Sequence, residues 1–175
     1  MIRALHGALT RAGDDDAVTA VIILGTGDAF SAGADLKTFL SDDPPLAQAL
    51  VRRELGALFL LIEAYRKPLV AAVNGDALGA GFGLVAACHL AVAVPTARFG
   101  LPGVRLGIMP MTIMPVVFRT LPRKLGLELM LTGRLMDATE ALGLGFINAV
   151  SPADGLSEAA VGLARGSNRA LTIGV

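Results

Sequence analysis

Apolar residues along this chain alternate between two rhythms. Short unbroken runs suit buried strands, and longer stretches in which apolar positions recur every third or fourth residue suit helices. Residues 1–12 put Ile2, Leu5 and Leu9 on one helical face, and Gly13 follows as a stop. Residues 18–24 read as a buried strand. Pro44-Pro45 opens a long helix with Leu46, Leu50, Leu58, Leu61 and Ile62 on one face and Arg52, Arg53 and Glu54 outside, ending before Lys67-Pro68. Residues 69–73 form a second strand, 84–88 a buried Ala-rich helix, and 90–94 and 98–100 further strands. Residues 102–110 read as a loop with an extended piece at 104–106. Helices follow at 113–120, broken near Pro115, and at 123–131; then come a strand at 146–150 and a helix at 156–165. Strands alternating with helices predict an α/β class, mainly parallel and joined by right-handed crossovers, in a single domain over residues 1–175.

Two strands run into loops of small residues. Phe30-Ser-Ala-Gly-Ala-Asp-Leu36 follows the first, and Asn74-Gly75 with Gly79, Gly81 and Gly83 follows the second. A strand, a Gly-rich loop and a helix start leave backbone N–H groups free to hold a phosphate, a carboxylate or a developing oxyanion. A P-loop requires Lys and a hydroxyl after its glycines, and Phe82 and Gly83 stand there instead. The spacing is G-x-G-x-G rather than the dinucleotide G-x-G-x-x-G. Taken alone, the second loop is also what close helix–strand packing produces. Two such loops at the carboxyl ends of neighbouring strands would let two N–H groups converge on one oxygen.

Composition narrows the partners. Fifteen Lys+Arg balance fifteen Asp+Glu, so there is no basic surplus of the kind that nucleic acid requires. With 54% hydrophobic and 17% charged residues the chain is expected to fold. Residues 77–97 carry no Asp, Glu, Lys or Arg, yet His89 and Pro95 and a split into helix and strand patterns argue for a protein interior and not a membrane span. Arg3, His6 and Arg11 interrupt any signal-peptide core, and a cytoplasmic location is expected.

Individual side chains with chemistry have plain roles available. Cys88, the single cysteine, reads as an inert buried thiol. His89 reads as a satisfied core histidine, and Asp76 as a turn carboxylate that could face the second loop. Asp14-Asp15-Asp16 reads as a solvated turn, since consecutive carboxylates cannot converge like calcium ligands, and no metal site is expected. Asp137-Ala-Thr-Glu140 is a capping box, Glu140 reaching back over the helix start. No Ser–His–Asp constellation can be placed around Ser31.

These blocks together resemble the enoyl-CoA hydratase/isomerase (crotonase) family: residues 30–36, 67–75 with Ala77-Leu-Gly79, Arg98-Phe-Gly-Leu-Pro102, Leu131-Thr-Gly133, Asp137-Ala-Thr-Glu-Ala141 and Gly143-Leu-Gly-Phe-Ile-Asn148, in the family's order and spacing over nearly the whole chain. The resemblance implies a ββα spiral core that binds an acyl-CoA thioester, with no cofactor other than the coenzyme A of the substrate. It implies that the N–H groups of Ala32 and Ala80 form an oxyanion hole for an enolate. It also implies that Ala32, Gly33, Ala34, Asp35 and Leu36 lie against the adenine, with Gly79 and Ala80 at the thioester. Trimers, or trimers paired into hexamers, are the family expectation.

The departures bear on the reaction. Hydratases of this family use two glutamates, and the matching positions here are Gly83 and Gly103. Related isomerases place a carboxylate near Met111, and none is there. The expected activity is therefore an acyl-CoA enzyme without the two-glutamate apparatus; the alternative is a non-catalytic acyl-CoA-binding member. The family's N-terminal hairpin and C-terminal helices have no counterpart, so a short form or a segment of a longer chain is expected.

Overall fold

The computed structural model describes residues 1–33 and 45–171, with side chains described from residue 49 to residue 166 in the second span. Ala34, Asp35 and Leu36, expected at the adenine, and Pro44 lie outside the described residues, and so does the Leu46 side chain.

The chain winds as a spiral whose turns each contribute one strand to each of two sheets. Its first turn holds α1 (Ile2–Asp14), β1 (Val21–Leu24), β2 (Ala29–Ser31) and α2 (Pro45–Glu63). The second holds β3 (Leu69–Val73), β4 (Asp76–Leu78) and α3 (Ala80–Ala87), and the third β5 (Leu90–Ala93) and β6 (Arg98–Gly100). Beyond these lie α4 (Met114–Thr120), α5 (Arg123–Thr132), β7 (Leu135–Asp137), α6 (Ala138–Gly143), β8 (Ala149–Val150) and α7 (Leu156–Leu171). Among the described residues one sheet runs β1-β3-β5-β8, parallel throughout. The other runs β2-β4-β6-β7, parallel except for the antiparallel β6·β7 pair. The predicted α/β class and ββα spiral are what is found.

Successive turns must stack closely at their corners, and the corner residues are chosen for it. The Asn74 amide oxygen accepts from Gly25 N–H (3.1 Å) while its nitrogen donates to the Gly27 carbonyl (2.7 Å), joining one turn to the next. Gly75 has no room for a side chain: a Cβ there would stand 2.1 Å from the Asp28 carbonyl oxygen. In the core, β3 is buried at all five positions. Phe146 stacks on Phe82 at 4.8 Å and meets Phe99 edge-on at 5.4 Å, tying α3, β6 and the approach to β8 together.

Several expectations are corrected. The strand expected at 18–24 is Val21–Leu24, and it is half-exposed: Val21 and Ile23 pack against the core while Ile22 and Leu24, the latter 52% exposed, share the outer face. Leu50 is exposed, and the buried face of α2 is Leu58, Phe59 and Ile62. Residues 104–106 are not extended: Pro102–Leu106 is a 3-10 turn, opened by Pro102 and closed by left-handed Gly107. Pro115 opens α4 rather than breaking it. The strand expected at 146–150 is only Ala149–Val150, since Phe146 and Ile147 turn into the core. The helix expected to stop at Gly13 runs to Asp14, where Lys67 Nζ donates to the Ala12 and Asp15 carbonyls (2.8 and 2.6 Å).

Candidate functional site

Strands β2 and β4 are parallel neighbours, so the loops at their carboxyl ends emerge side by side. They are in contact. A Cβ on Gly33 would stand 2.8 Å from the Leu78 carbonyl oxygen and 3.2 Å from the Ala80 nitrogen. Gly33 (φ +97°) takes a left-handed conformation that suits glycine and brings its backbone against the other loop. Gly81 is equally confined, with Ser31 Cβ and O 2.6 Å from where its Cβ would be. The small residues of both loops thus serve one close approach.

Ala80 is the first residue of α3, after Gly79 at the cap. The first N–H groups of a helix have no intrahelical acceptor. Gly79 N–H is taken by the Gly100 carbonyl (2.9 Å) and Gly83 N–H by the Gly79 carbonyl (3.1 Å). Ala80 is half-buried and Ala32 exposed, so this junction is reachable from solvent. Both oxyanion-hole candidates therefore sit beside one another on adjoining loops, as do Gly33 and Gly79.

The two glycines at glutamate positions differ. Gly83 is buried, and the space in front of it is taken: Ile113 Cγ2 and Phe59 Cζ lie 2.7 and 3.0 Å from its would-be Cβ. Gly103 is half-buried in the 3-10 turn, and the nearest atom is Ile108 Cβ at 3.7 Å. One position is plugged by hydrocarbon and the other is open. Met111 is exposed at 64%.

The remaining titratable candidates are engaged elsewhere. Asp76 opens β4 and forms a two-point ion pair with Arg98 at the start of β6 (3.0 and 2.5 Å). Hydrogen bonding to Arg98 holds its carboxyl below the usual range, which makes it a poor base. It is a strand-pairing carboxylate, not the turn carboxylate expected. His89 is satisfied as expected, its Nδ1 accepting from Leu69 N–H (3.0 Å), but it is exposed and not in the core. It lies two residues past the end of α3, an eight-residue helix about 12 Å long that has Ala80 at its first position. Cys88 is half-buried, and burial pushes its thiol up to about 12. The Ser31 hydroxyl accepts from Gly33 N–H (3.3 Å), a turn-shaping bond. Asp137 caps α6 as predicted, accepting from Glu140 N–H (2.8 Å). Glu140 does not reach back: Arg134 holds both its oxygens (2.9 and 2.7 Å). Among the described residues there is no group of three or more His, Cys, Asp or Glu able to hold a metal ion, and no helix long and apolar enough to cross a membrane.

Sequence reasoning did not single out Phe59 or Ile113: both lie in stretches read as helices, and only the tertiary structure brings them together in front of Gly83.

The chain matches the family model described as "Enoyl-CoA hydratase/isomerase" over residues 1–172. A protein of Thermus thermophilus named "Putative enoyl-CoA hydratase" is 40% identical over 167 residues, covering 94% of this chain and 66% of that one. The "Enoyl-CoA hydratase domain-containing protein 3, mitochondrial" of Danio rerio is 33% identical over 94% of this chain and 57% of its own length. The crystal structure of human enoyl coenzyme A hydratase domain-containing protein 3 superposes with a TM-score of 0.90 at 32% identity, covering 96% of this chain and 66% of that one. The chain thus spans less than two thirds of the length of these relatives.

Proposed function

This chain belongs to the enoyl-CoA hydratase/isomerase family, and we propose that it holds an acyl-CoA thioester where its two small-residue loops meet, with the N–H groups of Ala32 and Ala80 sharing the thioester oxygen. The observation that supports this reading is the packing of Gly33 against the Ala80 amide, which brings two strand-end loops into one junction. Two fixed donors at a carbonyl oxygen favour the enolate over the neutral thioester, because the negative charge develops on that oxygen. Ala80 in place of the family's usual glycine leaves this intact, as the donor is backbone.

Proton transfer is the weak part of the apparatus. The positions of the two glutamates are Gly83 and Gly103, and Asp76 and His89 are committed to Arg98 and Leu69. A general acid–base residue typically contributes about 10²–10⁴-fold. The reading is therefore enolate stabilisation with slow hydration. A second reading, a member that holds acyl-CoA without turnover, is favoured by the absence of a titratable side chain at positions 83, 103 and 111. Self-association into trimers or paired trimers and a cytoplasmic location belong to the same proposal, the first checked by light scattering.

The test uses two substitutions at Ala80. Position 80 is the first of α3, where proline fits a helix start, and the preceding Gly79 is permissive. Ala80→Pro removes the N–H and keeps the element; Ala80→Ser keeps both. The expected outcome is that the wild type binds acyl-CoA more tightly than the free acid by calorimetry. Ala80→Pro should lose the shift of enoyl-thioester absorbance on binding, while Ala80→Ser retains it. Equal behaviour of the two folded variants excludes Ala80 as a donor.

A further inference from the structure

Gly83 stands three residues along α3 from Ala80, about 4.5 Å of rise, on nearly the same face of the helix. Side chains of a helix lean toward its N-terminus, so the space in front of Gly83 lies on the Ala80 side of α3. That space holds the Ile113 methyl group and the rim of the Phe59 ring, both side chains 6% exposed. They come from different parts of the fold, Phe59 from α2 and Ile113 from the turn that leads into α4. Neither offers a donor or an acceptor. The space that a side chain at position 83 would take is filled by hydrocarbon.

We propose that Ile113 and Phe59 are specificity-determining residues: they close the acyl site on its Gly83 side with an apolar wall, and so favour an acyl group with no polar substituent at its β-carbon over a 3-hydroxyacyl group. The inference rests on the acyl-thioester reading of the junction. A hydroxyl set against this wall gives up its bonds to water and gains none. An apolar pocket discriminates against an added hydroxyl by roughly 10²-fold at most. The junction is open to solvent at Ala32, so a discrimination of about 10-fold is expected.

Calorimetric titration of the purified protein with butyryl-CoA and with 3-hydroxybutyryl-CoA tests it. The wild type is expected to bind the butyryl thioester about 10-fold more tightly. Ile113→Thr keeps the β-branch and sets a hydroxyl in the wall, and should reduce that ratio to about 3-fold or less. Should Ile113→Thr not fold by circular dichroism, Ile113→Ser, which carries the same hydroxyl on a smaller side chain and so cannot overpack, takes its place. Equal affinity of the wild type for both thioesters overturns the inference and leaves the acyl-CoA reading standing. An unchanged ratio in a folded variant also overturns it, by assigning the discrimination to other residues. Failure to bind either thioester overturns both.

Discussion

On the proposed correspondence with the hydratase glutamates, a carboxylate introduced at Gly103 should supply part of a proton-transfer apparatus, whereas one at Gly83 has no room. At Gly103 a new Cβ meets nothing closer than Ile108 Cβ at 3.7 Å, ordinary van der Waals contact, and the backbone is not left-handed. Gly103→Glu should therefore change stability by no more than about 0.5 kcal/mol. At Gly83 the contacts of 2.7 and 3.0 Å demand that Ile113 and Phe59 move, an overpacking cost of about 1–3 kcal/mol, before the penalty of a buried carboxylate with hydrocarbon neighbours. Gly83→Glu should lower the melting temperature and give no activity. For Gly103→Glu the gain in crotonyl-CoA hydration should lie near the lower end of what one acid–base group supplies, about 10²-fold, because the second glutamate is absent. The assay is loss of enoyl-thioester absorbance with time, with Gly103→Gln as a control of equal size that transfers no proton. If Gly103→Glu folds and binds crotonyl-CoA yet hydrates it no faster than Gly103→Gln, the residue-by-residue correspondence fails. Rapid hydration by the wild type would refute the account of its missing acid–base groups.

Other outcomes are expected from single contacts. Asp137→Ala removes the cap from the first turn of α6 and should cost about 1 kcal/mol in urea denaturation, with Asp137→Asn closer to wild type. The Asp76 carboxyl is depressed by Arg98, so the pair's contribution to stability is complete above the unfolded carboxylate value of about 3.9 and fades as pH falls through the lower folded value. The stability difference between wild type and Asp76→Asn should accordingly be steady at neutral pH and shrink in acid. The Cys88 thiol, pushed up to about 12, should react slowly with a thiol reagent at neutral pH in the native protein and quickly in denaturant.

What the sequence determined by itself is whatever depends on neighbours along the chain. The helix face of α1, the five-residue apolar run of β3 and the Asp137 cap follow from spacing and from a few nearby hydrogen bonds. The two loops with small residues after strands were also readable, because close approach of backbones demands small side chains wherever it occurs; Ala32 and Ala80 within them came from the family resemblance. Tertiary structure decided everything that depends on which distant groups arrive. Glu140 has a helix N-terminus within reach and turns to Arg134, since a charged donor pair outcompetes a backbone N–H. The run Val21–Leu24 reads as buried on both faces, and the fold packs only the Val21 and Ile23 face against the core. His89 lies in an apolar stretch but caps the sheet from outside. Gly83 and Gly103 are the same residue in sequence and opposite in space: Phe59 and Ile113, from separate elements, fill the front of one and leave the other open. No local pattern encodes that difference, because the volume in front of a glycine belongs to the residues that pack there.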